Sequence, residues 1–223
     1  MTALSGSPIR TLPPLLVLTD RSLVPPGRDL IGTLREAIAA GARAVVLRER
    51  DLPNAERARL AEQVQAMLAP VGGVLLLASA APLATAPFAG LHLRATDPAP
   101  AARPGLLGRS THSLDELLRA ADEGCDYVTL SPVAPTRSKP GYGPALGVAG
   151  FGDLLAAARH ARSVPPAVFA LGGVDEHNAG SFLDAGADGV AVMGSVMAAQ
   201  DPGRNVAALL AALGVGTPAA VAG

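Results

Sequence analysis

Aromatic side chains are scarce in this sequence: no Trp, two Tyr and four Phe in 223 residues. A core built from it must rest on aliphatic and small side chains packed at close range. There is one cysteine, Cys125, so an internal disulfide is excluded, as suits a reducing compartment. It stands in Gly-Cys-Asp-Tyr-Val at the start of an apolar run and reads as a small core residue. Charge is sparse, 17% of residues, and balanced at 18 Lys+Arg against 19 Asp+Glu. A net charge of −1 gives no basic surface that would bind nucleic acid. No apolar run approaches the roughly 20 residues of a membrane span, and the first residues lack a basic flank followed by an apolar stretch. The expectation is a cytoplasmic enzyme with neither membrane nor nucleic acid as partner. The oligomeric state stays open, a homodimer included. The 49% hydrophobic content excludes a disordered chain.

What is present is a series of short apolar runs bounded by turn residues, each apolar at nearly every position. Such runs are the mark of strands covered on both faces. They predict strands over Leu15–Thr19, Ala44–Leu47, Val74–Ala78, Gly90–Leu93, Leu106–Arg109, Tyr127–Leu130, Ala167–Ala170 and Gly189–Val192. Helical patterns fall over Leu30–Ala40, Asn54–Leu68, Leu114–Glu123, Val148–Ala161, His177–Ala185 and Asn205–Leu213. Three helices end on the same device, Gly41-Ala-Arg, Gly124-Cys-Asp and Gly186-Ala-Asp, with a strand two or three residues later. Glycine is favoured there because it takes the left-handed conformation that closes a helix. Eight strands alternating with helices predict an α/β fold, a single (β/α)8 TIM barrel over residues 15–213. A doubly wound sheet is the alternative, but no Gly-x-Gly-x-x-Gly follows the first strand. Residues 1–14 read as a lead-in, 80–88 as a short or irregular segment, and 214–223 as a flexible tail.

In a barrel of this kind the chemistry sits where strands end. Strand 2 runs into Arg48-Glu49-Arg50, and alternation sends at least one of these side chains into the mouth. Strand 5 leads to His112, whose ordinary pKa near neutrality suits acid/base work. His92, between leucines inside strand 4, reads as a packed, hydrogen-bonded residue, and His160 and His177 as helix-surface positions. The four histidines show no metal-ligand spacing. Gly172-Gly173 after strand 7 and Gly194-Ser195 after strand 8 match the common placement of a phosphate site, where glycine lets backbone N–H groups face the anion. The bland alternative is a pair of tight turns. Lys139 lies in a long Gly/Pro-rich loop, either solvated or closing on an anionic substrate.

Together these residues resemble the thiamine phosphate synthase/TenI family of (β/α)8 barrels, from about Leu15 to Met197. The resemblance is carried by Val46-Leu-Arg-Glu-Arg50, Gly108-Arg-Ser-Thr-His-Ser113, Ser131-Pro-Val133 with Pro135-Thr-Arg-Ser-Lys-Pro-Gly141, Leu171-Gly-Gly-Val174 and Ala185-Gly-Ala-Asp-Gly-Val-Ala-Val-Met193. It implies action on a thiazole phosphate. Thr136, Ser138, Gly172, Gly173, Gly194 and Ser195 would hold the phosphate, Ser110 would contact substrate, and Arg48, Arg50, Lys139 and His112 would serve catalysis. Family synthases join a pyrimidine methyl diphosphate to the thiazole phosphate with Mg²⁺. Their strand-3 Asn-Asp-Arg, whose Asp binds the metal, is Ala78-Ser79-Ala80 here, and their Gln ahead of Leu-Arg-Glu-Lys is Val46. Asp97 matches the second metal carboxylate, a role it has only if Mg²⁺ is used. The missing carboxylate puts the TenI reaction first: metal-free aromatising tautomerisation of a carboxythiazole phosphate, with His112 as acid/base and no cofactor. Synthase chemistry with Mg²⁺ is the alternative, and a non-catalytic thiazole or thiamine phosphate binding protein the third reading.

Overall fold

In the computed structural model the described residues are 12–78, 88–103, 105–135, 144–162 and 165–216. Their strands are β1 (Leu15–Leu18), β2 (Ala44–Leu47), β3 (Val74–Leu77), β4 (Gly90–Leu93), β5 (Leu106–Thr111), β6 (Tyr127–Leu130), β7 (Ala167–Leu171) and β8 (Gly189–Val192). All pair in parallel with their chain neighbours, and β8 closes on β1 through Leu15 beside Val190 and Leu16 beside Ala191. The helices are α1 (Leu30–Ala39), α2 (Asn54–Leu68), α3 (Leu114–Asp122), α4 (Gly147–Ala161), α5 (Ala179–Asp184), α6 (Gly194–Met197) and α7 (Pro202–Ala212). The expected TIM barrel is what forms. None of these helices is long and apolar enough to cross a membrane.

Alternation along the strands divides the core in two. Leu16, Leu18, Ala44, Val46, Leu76, Tyr127, Phe169 and Ala191 fill the barrel interior. Leu15, Val17, Val45, Leu47, Leu75, Val128 and Val190 face outward and pack with the helices. The few aromatics occupy the tightest places: Tyr127, Phe151, Phe169 and Phe182 are among the largest fully buried side chains. Tyr127 meets Phe169 edge-on at 5.8 Å between ring centroids.

The glycine device behaves as the sequence predicts. Gly41, Gly124 and Gly186 all have positive φ. After each, the next amide reaches back five residues: Ala42 to Ala37, Cys125 to Ala120 and Ala187 to Phe182. The same closure recurs at Gly214 and Val215 after α7, and the rest of the tail expected over 214–223, from residue 217 on, lies outside the described residues. In two of the junctions the following Asp adds a clamp. The carboxylates of Asp126 and Asp188 accept from the amides of Leu107 and Val168, at the starts of the preceding strands.

Some boundaries differ from expectation. β5 continues to Thr111, so Ser110 is a strand residue and not part of the loop. α5 starts at Ala179 because Asp175 and Asn178 hold residues 175–178 in a turn, which leaves His177 outside the helix. α7 starts earlier, at Pro202, capped by the Asp201 carboxylate. The four-residue α6 is too short to leave a periodic signal. No helix lies between β4 and β5 among the described residues. The irregular segment expected over 80–88 falls outside them except for Phe88.

Packing makes Gly90 and Gly124 distinct tests. A Cβ on Gly90 would lie 1.9 Å from the Leu106 carbonyl oxygen, whereas one on Gly124 meets nothing closer than 3.5 Å. Gly124→Ala is expected to lose roughly 1–2 kcal/mol from its left-handed backbone alone. Gly90→Ala should lose more, because β4 and β5 must separate. Urea denaturation followed by circular dichroism measures both.

Candidate active site

The strand ends surround a cavity of about 1030 Å³. Arg48, Arg50, Ser110, His112, Gly172, Gly173, Gly194 and Ser195, all singled out from sequence, line it together. Thr136, Ser138 and Lys139 lie outside the described residues, as do Ser79 and Ala80.

On one side stand the arginines. Ala44 and Val46 point inward, so the same parity carries Arg48 and Arg50 to the mouth, while Leu47 packs in the outer shell and Glu49 also lines the cavity. The Arg48 amide donates to Thr19 Oγ1 at 2.9 Å, and its guanidinium reaches the Thr19 carbonyl and the Met193 sulfur. Arg50 spans three strand ends, donating to the carbonyls of Ala78 at 2.8 Å and His92 at 3.4 Å. It lies 3.8 Å from Asp97. Arg94 also lines the cavity. Glu49 is buried and serves the scaffold, accepting from the amide and guanidinium of Arg21. Arg21 also pairs with exposed Asp51, which raises the guanidinium pKa and lowers that of the carboxyl.

The loop bearing Asp97 is held from beneath by Arg109, a residue whose role has no signal in the sequence. Fully buried, Arg109 donates to the carbonyls of Arg94, Ala95 and Asp97 at 2.8, 3.2 and 2.7 Å. Its guanidinium also lies 2.5 Å from the Glu123 carboxylate. Asp97 Oδ2 in turn accepts from the Arg94 amide at 2.9 Å. This single carboxylate, already bonded to an amide and facing Arg50, is a poor host for a resident Mg²⁺, which wants octahedral oxygen ligands. Among the described residues no group of three or more His, Cys, Asp or Glu is placed to hold a metal. The donor set does not fit a resident ion.

Across the barrel lies the opposite kind of surface. Gly172 and Gly173 both have positive φ, and a Cβ on Gly173 would sit 2.4 Å from the Pro135 carbonyl oxygen. These glycines therefore make a tight turn against the β6 loop. Asn178 donates to the Gly173 carbonyl and Asn205 to that of Ser195, clasping the two turns from behind. Neither asparagine was visible as functional in the sequence. Among the described residues the amides of Gly173, Gly194 and Ser195 find no acceptor. The buried Ser195 hydroxyl also has no partner among the described residues. Donors converging without acceptors are what an anion would satisfy.

His112 lies between β5 and the helix α3, not within either. Its amide donates to Glu116, and Ser113 caps the helix. Its Nδ1 is 2.7 Å from the Ser131 carbonyl oxygen. A carbonyl can only accept, so the neutral ring carries its proton on Nδ1 and its lone pair on Nε2. His92 is buried deeper, with Nδ1 2.9 Å from the Tyr127 hydroxyl and Nε2 2.9 Å from Ser110 Oγ. Burial, aided by the Arg48 and Arg109 charges, pushes its pKa down to about 3.

A family model described as thiamine monophosphate synthase matches residues 15–196. A putative thiamine-phosphate synthase of Geobacter sulfurreducens is 38% identical over 206 residues, covering 89% of this chain and 93% of that protein. The thiamine-phosphate synthase of Methanoculleus marisnigri is 36% identical over 194 residues, 84% of this chain and 89% of its own. Among solved structures, thiamine phosphate pyrophosphorylase from Pyrococcus furiosus matches with a TM-score of 0.76 at 26% identity, over 90% of this chain and 95% of that one.

Two measurements follow from the buried charges. Arg109→Met removes the donor of the Asp97 carbonyl and one of the two cations beside Glu123, which keeps Arg119 at 3.8 Å, for an expected loss of about 1–3 kcal/mol in urea denaturation. His92 has a folded pKa below its unfolded value near 6.5. The unfolded chain therefore binds the extra proton, and stability falls as pH drops from about 6.5 towards 3. The slope reaches at most about 1.4 kcal/mol per pH unit. Urea midpoints between pH 7 and 5 should fall more steeply for the protein than for His92→Gln.

Proposed function

Because this chain belongs to the thiamine monophosphate synthase family, we propose that it joins a pyrimidine methyl diphosphate to a thiazole phosphate, forming thiamine phosphate and releasing diphosphate. The relatives' names favour this condensation over the tautomerisation that the sequence alone puts first. The observation that carries it is the furnishing of one large cavity from two sides. Arg48, Arg50 and Arg94 stand at the ends of β2 and β4, and acceptor-free amides at the ends of β7 and β8. Two anionic molecules can lie there side by side, which an isomerisation of one small substrate does not require.

In this reading the thiazole phosphate docks its phosphate on the amides of Gly173, Gly194 and Ser195. Thr136, Ser138 and Lys139 join this reading from sequence alone. The thiazole nitrogen attacks the pyrimidine methylene carbon while the carbon–oxygen bond to diphosphate breaks and its electron pair leaves on oxygen. Arg48 and Arg50 face that developing charge from a partly buried site, where a fixed cation acts more strongly than in water. The diphosphate arrives as its magnesium complex, the metal being part of the substrate.

A second reading keeps one specific support. His112, held on the Ser131 carbonyl, lines the cavity, and proton transfer in a carboxythiazole phosphate would use an acid/base there that the condensation does not. Purified protein supplied with both condensation substrates and magnesium is expected to form thiamine phosphate. Arg48→Met should lower kcat/KM on the order of a hundredfold. No condensation, with aromatisation of carboxythiazole phosphate that disappears in His112→Ala, would transfer the assignment to the isomerase.

A further inference from the structure

We infer that Tyr127 and His92 are positioning residues: they form a directed hydrogen-bond chain that turns the Ser110 hydroxyl proton into the cavity, as a donor to the diphosphate oxygens of the substrate. The identity of that acceptor rests on the proposed condensation; the direction of the chain does not. His92, Ser110 and Tyr127 all point to the barrel interior, on adjacent strands β4, β5 and β6. The Tyr127 hydroxyl is 2.9 Å from His92 Nδ1, and His92 Nε2 is 2.9 Å from Ser110 Oγ. Ser110 lines the cavity.

The direction follows from what each group can carry. Tyr127 is 1% exposed, and burial raises its pKa so that the phenol keeps its proton. Among the described residues His92 is its one hydrogen-bond partner. A buried hydroxyl must place its proton on an acceptor, so Nδ1 accepts. The imidazole is neutral, with its single proton then on Nε2, and that proton is donated to Ser110 Oγ. Ser110 has used a lone pair, and its own proton is left to donate into the cavity. The reverse direction would strand the phenolic proton inside the core.

Gly108 supports the same assignment. It precedes Ser110 by two residues on the inward face of β5, and a Cβ there would come within 2.0 Å of Tyr127 Cζ and 2.5 Å of its hydroxyl. One inward position of β5 thus makes room for the phenol, and the next delivers the proton that the phenol directs. The ring is further fixed by stacking on His92, 5.5 Å between centroids.

Tyr127→Phe keeps the ring and removes the hydroxyl alone. In ¹⁵N-resolved NMR of the imidazoles, His92 of the unaltered protein is expected as the pure Nε2–H tautomer, and Tyr127→Phe should populate Nδ1–H. With inorganic diphosphate as the probe, Tyr127→Phe and Ser110→Ala should each weaken binding about fivefold. The double variant should be no weaker than Ser110→Ala, because both changes remove one directed donor. An Nδ1–H tautomer in the unaltered protein, or additive losses in the double variant, overturns the chain. A pure Nε2–H signature in a protein that fails to condense the two substrates leaves the chain standing and removes the functional reading instead.

Discussion

In a closed parallel barrel no strand can slip by one residue without turning its inward side chains outward, and the site at this mouth depends on that constraint. On β2 the apolar inward pair Ala44 and Val46 fixes Arg48 and Arg50 as the side chains that reach the cavity. A slip of one would turn Arg48 and Arg50 away from the cavity that they line. The same parity places His92 and Ser110 inward on β4 and β5, while Leu91, Leu93 and Leu107 turn to the outer shell. Hydrophobic pattern and catalytic equipment are therefore one specification.

The connection between β4 and β5 shows what happens where a layer is missing. With no helix there among the described residues, the carbonyls of residues 94, 95 and 97 draw donors from side chains, Arg119 reaching that of Ala95. Arg109, outward on β5, supplies them from a fully buried guanidinium balanced by Glu123 on the far side. A buried ion pair is weak evidence for stability by itself. Here it has a geometric consequence, since the loop it pins carries Arg94, Ala95 and Thr96 to the cavity. Scaffold and site meet in one side chain.

The strands were legible because both their faces are apolar and each run is bounded by glycine, proline or a charge, so their ends agree to within a residue almost everywhere. β5 ran two residues beyond its expected end at Arg109 because Ser110 and Thr111 are polar residues hydrogen-bonded inside the protein, which composition reads as loop. α5 began late because Asp175 holds a turn over two residues whose pattern reads as helix. Gly172, Gly173, Gly194 and Ser195 could be placed from sequence because the barrel fixes where strands end. The clasps made by Asn178 and Asn205 could not, since they join residues whose neighbourhood exists only after the turns have formed. His92 was read as packed and hydrogen-bonded, which it is; what sequence could not supply was the partner on each nitrogen, and hence a direction.

The interior is also unequal around the barrel. β1, β2 and β3 contribute Leu16, Leu18, Val46 and Leu76, whereas β4, β5 and β6 contribute His92, Ser110, Tyr127 and Thr129. The apolar half gives Arg48 and Arg50 a floor of aliphatic side chains, and between charges a few ångströms apart a fall in effective dielectric from that of water to about 20 strengthens attraction roughly fourfold. Burial first, and then the Arg48 and Arg109 charges, keep His92 neutral beneath them. A neutral imidazole has one proton to place, and only then can a neighbouring phenol decide which nitrogen holds it. The electrostatics that favour an anion at the mouth thus also impose direction on the hydrogen bonds beneath it.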